Sequence, residues 1–143
     1  EMGKVDMNRR HQREISQQYA DKFRTKIVSL DDLIGSLSGG NQQKVVISRA
    51  LSTRPKVVIL DEPTRGIDAA ARSDVYGIIR QLKEEGVAVL MVSSDIEEVV
   101  ELADRAITIF QGRINGEFSH DEISQDALTS ASFGIGHERV VAK

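Results

Sequence analysis

The sequence contains no cysteine, few aromatic residues and no long apolar run. The lack of cysteine excludes disulfide bridges and thiolate metal sites. An aromatic content of 4% argues against the stacking platforms that bind single-stranded nucleic acid. No apolar run approaches the roughly 20 residues of a membrane-spanning helix, and no signal-peptide pattern opens the chain. We therefore expect a soluble globular protein.

The charge balance is mildly acidic, with a formal net charge of −3 and a pI of about 5.6. It offers no electrostatic surface for nucleic acid, so we expect no nucleic-acid partner. The length of 143 residues suits one domain, or one domain with a small subdomain. The chain begins Glu1-Met2-Gly3, and we interpret it as a piece of something longer.

Apolar spacing predicts several helices. Residues 1 to about 26 are strongly polar, and within them the four-residue spacing of Ile15, Tyr19 and Phe23 indicates a surface helix. A second helix follows LSGG, residues 37–40, and ends before Pro55. Two further helices are predicted over residues 69–85 and 121–132, and a loose tail over residues 134–143.

Continuous apolar runs predict strands. Val57–Leu60 and Val87–Val92 are typical of strands buried on both faces, as in parallel sheets. Ala106–Phe110 and Arg113–Phe118 flank Gln111-Gly112 and predict a hairpin. The alternation of strands and helices predicts an α/β fold with a mostly parallel sheet and a C-terminal hairpin. Ligands of such sheets lie beyond the carboxyl ends of the strands.

Two carboxylates, Asp61 and Glu62, follow directly after the first predicted strand. They could form a polar turn that ends the strand, helped by Pro63. They could instead form a catalytic pair, in which one carboxylate holds Mg²⁺ and the next polarises an attacking water. The pair alone leaves both interpretations open.

Residues 37–44, LSGGNQQK, open the second predicted helix. A helix N-terminus presents backbone N–H groups and a positive dipole end, and glycine lets a phosphate approach that backbone closely. Ser38 adds a hydroxyl donor. The alternative is a Gly-Gly turn with Ser38 or Asn41 as the N-cap.

Three segments in this order resemble the ATP-binding-cassette (ABC) ATPases. LSGGNQQK resembles the signature motif, VVILDEPT the Walker B strand, and GIDAAAR the loop that crosses the dimer interface. The resemblance covers about residues 15–134. It is most similar to the second cassette of tandem-cassette monosaccharide importers of the ribose and galactose type.

The resemblance implies a role for each signature residue. Ser38, Gly39 and Gly40 would bind the γ-phosphate of an ATP held by the opposite cassette. Gln42 lies in the amide run typical of this subgroup, and a solvated helix surface is an equal alternative for it.

The resemblance also assigns the carboxylates. Asp61 would bind Mg²⁺ and Glu62 would act as the general base. Asp68 would lie at the cassette interface and could also cap the helix that begins at Ala69. The implied cofactors are therefore ATP and Mg²⁺.

The sequence departs from the family pattern in two ways. Ser94 stands where most active cassettes have a histidine that contacts the γ-phosphate, and Ser94 could instead be a helix N-cap with capping-box form. The histidines present, which we expect at the surface, are His11, His120 and His137. The second departure is that the sequence has no G-x-x-x-x-G-K-[ST] loop to hold the β and γ phosphates, because its one Gly-Lys pair follows no glycine loop.

These features predict the C-terminal half of an ABC cassette. We expect a partial helical subdomain over residues 1–55, a partial RecA-like core with the Walker B strand over 56–134, and a flexible tail over 135–143. The parent protein would couple MgATP hydrolysis to monosaccharide uptake, and this piece alone would be inactive for lack of the P-loop.

The resemblance implies partners as well. They would be a second ATPase cassette, membrane permease subunits and a periplasmic sugar-binding protein, with the chain peripheral on the cytoplasmic face of the membrane. A half cassette lacks neighbouring strands of the sheet, so its exposed apolar edges and faces could also produce a homo-oligomer. Two alternatives remain: a non-catalytic module that caps nucleotide on a partner cassette, and an ABC ATPase of genome maintenance or of the ribosome.

Overall fold

The computed structural model describes residues 9–135. Short 3-10 helices at Ile34–Ser36 and His120–Glu122 accompany the regular elements. Those elements, in chain order, are α1 (Arg9–Lys22), α2 (Gly39–Leu51), β1 (Val57–Asp61), α3 (Ala69–Glu84), β2 (Ala88–Val92), α4 (Ile96–Leu102), β3 (Arg105–Phe110), β4 (Arg113–Ser119) and α5 (Gln125–Ser132). They form two compact units that divide after Val92.

The first unit contains a parallel sheet of β1 and β2, as the sequence predicts. Val57 is level with Ala88, and Asp61 with Val92. The predicted burial of both faces is wrong, because side chains along each strand alternate between a covered face and an exposed one. Runs of this kind are typical of sheets with helices on both faces, whereas this sheet of two strands leaves one face open.

In the first unit α3 packs against β2 of the sheet, and α2 packs against α3. Val75, Ile78, Ile79 and Leu82 of α3 are buried and form the apolar stripe of the helix that apolar spacing predicts over residues 69–85. The helix ends before Gly86, whose φ of +77° allows the chain to turn back so that Val87 N–H donates to the Leu82 carbonyl at 3.0 Å.

The second unit is a hairpin with helices packed on it. The antiparallel pairing of β3 with β4 confirms the predicted hairpin, and its turn places Gln111 and Gly112 at positive φ. The buried core of this unit consists of Ala106, Phe118, Leu128 and Ala131.

Several smaller predictions have clear outcomes. His11 and His120 are exposed, as expected, whereas His137 and the rest of the predicted tail from residue 136 on lie outside the described residues. Within residues 9–135, none of the helices is long and apolar enough to cross a bilayer. The division at residue 55 stays a prediction.

Candidate nucleotide site

The carboxylate turn begins where β1 ends. Asp61 is the last residue of the strand and is exposed. Glu62 follows with φ of +47°, and its backbone N–H donates to the Val92 carbonyl at 2.8 Å. Pro63 and Thr64 are buried beneath the turn. Both carboxylates are thus fixed by the backbone at the carboxyl end of the sheet.

The left-handed backbone of Glu62 costs free energy. Residues other than glycine rarely adopt positive φ, and such a conformation costs on the order of 1 kcal/mol. The turn after a strand does not by itself require glutamate here, since glycine or asparagine would fit more easily. A carboxylate kept in a strained conformation at a strand end favours the interpretation of a functional pair over that of a plain turn.

The start of α2 is open toward solvent. Ser38 occupies the N-cap position with extended backbone, yet its side chain makes no capping hydrogen bond. Its Oγ accepts from Asn41 Nδ2 at 2.9 Å, and Asn41 Oδ1 accepts from the Lys26 backbone N–H at 2.9 Å. Asn41 therefore occupies an acceptor position of the Ser38 hydroxyl and leaves the hydroxyl hydrogen to donate elsewhere.

The first N–H groups of α2 lie beyond the reach of intrahelical acceptors. The first helical bond of α2 runs from Gln42 N–H to the Ser38 carbonyl at 2.9 Å. An uncapped helix start of this kind suits an anion such as a phosphate, because the helix dipole also favours negative charge there.

Gln42 has a structural contact. Its Nε2 donates to the Leu37 carbonyl at 2.8 Å, and the residue is half-buried. Its side chain therefore fixes the turn that leads into α2, which differs from the fully solvated alternative. A direct phosphate contact by Gln42 stays a prediction.

Asp68 caps α3, as predicted. Its Oδ1 accepts from the Ala71 backbone N–H at 2.9 Å. The start of α2 lies beside this segment, since a Cβ built on Gly39 would be 3.5 Å from Ile67 Cγ2. The structure therefore brings the LSGG segment and the segment 66–71 together.

Ser94 does not cap α4, so the predicted capping box at Ser94 is wrong. The N-cap is Asp95, whose Oδ1 accepts from the backbone N–H groups of Glu97 and Glu98 at 3.1 and 3.4 Å. A carboxylate one residue later reaches both N–H groups and takes the role of the serine. Ser94 is exposed in the second unit, next to Ser93, whose Oγ donates to the buried Glu98 at 2.5 Å.

The fit to a metal ion depends on Asp61. Among residues 9–135 there is no group of three or more histidine, aspartate or glutamate side chains that could hold a metal by itself. Mg²⁺ needs no such group, because it commonly binds through one or two carboxylates, water and the phosphates of a nucleotide. The exposed carboxylate of Asp61 fits that mode.

Comparison with known proteins decides the family. A sequence profile described as ABC transporter matches residues 3–65. The xylose import ATP-binding protein XylG of Moorella thermoacetica is 46% identical over 116 residues, which are 81% of this chain and 23% of that protein. The chain belongs to the ABC transporter ATPases.

Solved ABC cassettes agree with this assignment. The ADP conformation of MJ1267, an ATP-binding cassette of an ABC transporter, has a TM-score of 0.71 at 28% identity over 81% of this chain and 45% of that one. A nucleotide-free cassette from an ABC transporter has a TM-score of 0.77 at 25% identity over 88% of this chain and 49% of that one. The predicted α/β fold of a partial ABC cassette is therefore confirmed, and the chain spans about half of these cassettes.

In this ABC ATPase chain, three residues near the site make contacts that the sequence pattern did not predict. Asn41 orients Ser38, Lys44 is buried, and Ala71 lies against Gly40. Lys44 gave a usable signal, because it lies four residues after Gly40 and three before Ile47, on the buried stripe of α2.

Proposed function

We propose that this chain is the signature and Walker B part of an ABC ATPase that couples MgATP hydrolysis to import of a monosaccharide. The observation that carries the proposal is the pairing of two features in one unit. One is the uncapped start of α2, where the Ser38 hydroxyl hydrogen can donate to a ligand. The other is Glu62, whose backbone is strained, beside Asp61. The first suits a phosphate and the second suits water activation.

The residues of this chain would divide the work of the phosphoryl transfer. Ser38 and the first N–H groups of α2 would bind the γ-phosphate of a nucleotide held by the opposite cassette. Asp61 would hold Mg²⁺, which when bound neutralises charge on the phosphate oxygens. Glu62 would accept a proton from the attacking water, and the left-handed turn would keep its carboxylate in place.

Four further assignments are part of the proposal. Gly39 and Gly40 would contribute backbone at the phosphate, Gln42 would hold the turn before it, and Asp68 would lie at the cassette interface. Ser94, where most cassettes have histidine, lacks an imidazole and would make ATP hydrolysis at the site of the parent protein slow.

The partners would be a second cassette, permease subunits and a sugar-binding protein, at the cytoplasmic face of the membrane.

Xylose import, the named role of the relative at 46% identity, supports a pentose or a similar monosaccharide as the transported substrate class. Because the chain covers 23% of that relative, the transport activity belongs to a larger assembly in this proposal. The sequence contains no G-x-x-x-x-G-K-[ST], so the chain by itself would not hold the β and γ phosphates.

The first experiment is calorimetric titration of the purified chain with MgATP. We expect no detectable binding, because the signature residues act on a nucleotide that another cassette holds. Binding at micromolar concentration would overturn the proposed division of the site. In a second titration, MgATP is added to an equimolar mixture of this chain and a P-loop-bearing polypeptide. The mixture should show more MgATP binding than the P-loop polypeptide shows alone.

A second candidate is a non-catalytic module that caps nucleotide on a partner cassette, favoured by the absence of a P-loop motif from the sequence. Two variants separate the candidates. In the capping role, stimulation of the partner's turnover is lost in Ser38→Ala and kept in Glu62→Gln. In the catalytic role, complementation with a separate P-loop half gives turnover that Glu62→Gln abolishes. Ser52→Ala, an exposed serine at the other end of α2, is the matched control.

A further inference from the structure

The two glycines of the signature segment face different surroundings. Gly39 is exposed at the start of α2, whereas Gly40 is buried. A Cβ built on Gly39 meets its nearest neighbour, Ile67 Cγ2, at 3.5 Å, which is an ordinary van der Waals contact. Gly39 could therefore carry a small side chain without disturbing the packing of α2.

Gly40 has no such space. A Cβ built on Gly40 would lie 2.3 Å from Ala71 Cβ and 3.5 Å from Ala71 Cα. Ala71 belongs to α3, and its Cβ cannot rotate away as the end of a long side chain could. An alanine at position 40 would thus force the two helix backbones apart, since packed interiors tolerate little added volume.

The contact between Gly40 and Ala71 begins a longer seam between the two helices. On α2 the buried residues recur as Gly40, Lys44, Ile47 and Leu51. One turn along from Gly40, Lys44 Nζ lies 2.6 Å from Asp74 Oδ2 of α3. The seam therefore joins α2 to α3 by two contacts. The contact of Gly40 with Ala71 requires that residue 40 has no side chain, and the contact of Lys44 with Asp74 requires opposite charges.

We propose that Gly40 is a positioning residue, whose lack of a side chain serves the contact with Ala71 and not the approach of a phosphate. The contact would set the distance between the start of α2 and the Asp68 cap of α3. Because α3 begins seven residues after Glu62, the contact would also affect where the LSGG segment lies relative to the carboxylate turn. The functional half of this inference rests on the proposed capping of a nucleotide by α2.

A packing cycle tests the contact itself. The variants are Gly40→Ala, Ala71→Gly and the two combined, and the readouts are Tm and amide hydrogen exchange. We expect Gly40→Ala to lower Tm by about 5 °C or more, although alanine normally favours a helix over glycine. The combined variant leaves the new Cβ 3.5 Å from the Cα at position 71, so its Tm should return to that of Ala71→Gly alone.

Hydrogen exchange locates the effect. Gly40→Ala should speed exchange in residues 38–43 and 67–72 together, by about tenfold, and the combined variant should restore both segments. Gly39→Ala is the matched control and should leave Tm and exchange close to those of the unaltered chain. A Tm of Gly40→Ala equal to or above that of the unaltered chain would overturn the proposal, as would a combined variant no better than Gly40→Ala.

A functional readout separates positioning from phosphate access. In the assay of partner turnover, the combined variant should recover most of the stimulation that Gly40→Ala loses, while Gly39→Ala loses stimulation without loss of Tm. If position 40 must be glycine for phosphate access, the combined variant stays inactive despite its restored Tm, and the proposal is wrong. If the unaltered chain neither stimulates a partner cassette nor gives turnover with a separate P-loop half, the proposed function fails, and the Tm and exchange cycle still decides the packing claim.

Discussion

Lys44 Nζ lies 2.6 Å from Asp74 Oδ2, in a pair whose two side chains differ sharply in exposure. The Lys44 side chain is 5% exposed and that of Asp74 is 58% exposed. The same Nζ donates to the Arg24 carbonyl at 3.4 Å, just after α1. One buried cation therefore connects the segment after α1 with both helices of the seam.

The unequal burial predicts unequal effects of removing each partner. Asp74→Asn leaves a buried ammonium without its counter-charge and should reduce the free energy of unfolding by about 1–3 kcal/mol. Lys44→Met removes the charge and keeps the apolar stem, so it should cost less. Urea unfolding measures both.

The matched control is Asp31→Asn, which breaks the exposed pair of Asp31 with Arg13 and should barely change the unfolding midpoint. An equal loss in Asp74→Asn and Asp31→Asn would show that the burial of Lys44 has no energetic weight.

Adjacent residues before α4 give a second prediction. Asp95 is the N-cap of α4 and accepts from two backbone N–H groups, whereas Ser94 precedes the N-cap. Asp95→Ala should therefore reduce the free energy of unfolding by about 1 kcal/mol, and Ser94→Ala by much less. Thermal unfolding of both variants checks the prediction, and a larger loss in Ser94→Ala would contradict it.

The sequence was sufficient for most of the fold because its local signals agree with the tertiary structure. The stripe of α3, the parallel pair and the hairpin turn at Gln111-Gly112 all follow from periodicity and turn chemistry. The apolar runs alone did not predict the open face of the sheet, since they record what a sheet can bury and not which layers are present. Only the interpretation of the chain as half a cassette predicted exposed apolar faces.

The site was predictable in its residues and less so in their contacts. The strain at Glu62 and the closeness of Gly40 to Ala71 arise from backbone geometry, which a residue pattern does not specify. Val46 shows the same limit, since it is apolar in sequence yet exposed, while Lys44 is buried. Which face of α2 is covered depends on where α3 lies.

The backbone of Glu62 gives a third prediction. A β-branched residue is strongly disfavoured at positive φ, so Glu62→Val should reduce the free energy of unfolding by about 1–2 kcal/mol. Glu62→Asn tolerates the left-handed conformation and should be close to neutral. Asp61→Val is the control, because valine suits the strand that contains Asp61. Equal losses in the two valine variants, by urea unfolding, would contradict the role of strain.

The ion pair between Lys22 and Glu85 predicts a pH dependence. Lys22 Nζ donates to Glu85 Oε2 at 2.9 Å, and this hydrogen bond, more than the charge of Lys22 or the amide of Gln81, lowers the pKa of Glu85 below its usual range. A lowered folded-state pKa stabilises the fold above the unfolded-state pKa, and that contribution disappears as the pH falls through the folded-state pKa.

Glu85→Gln should therefore be less stable than the unaltered chain at pH 7, by about 0.5 kcal/mol after allowing for solvent screening. The difference should close between about pH 5 and pH 3. Unfolding midpoints across this range give the measurement, with the neighbouring exposed Glu84→Gln as control. A difference that grows toward acid pH would contradict the sign of the pKa shift.

The open face of the parallel sheet predicts self-association. Ile59 is 68% exposed and Leu90 is 53% exposed, and the two lie at paired positions on neighbouring strands. Apolar faces and unpaired strand edges favour association between copies. In sedimentation velocity, the chain should form a concentration-dependent oligomer, and Ile59→Thr with Leu90→Thr should shift it toward the monomer with little change in Tm. Val58→Thr, on the buried face, should lower Tm and leave the association of the folded protein unchanged. A monomer at high concentration would show that the open face does not drive association.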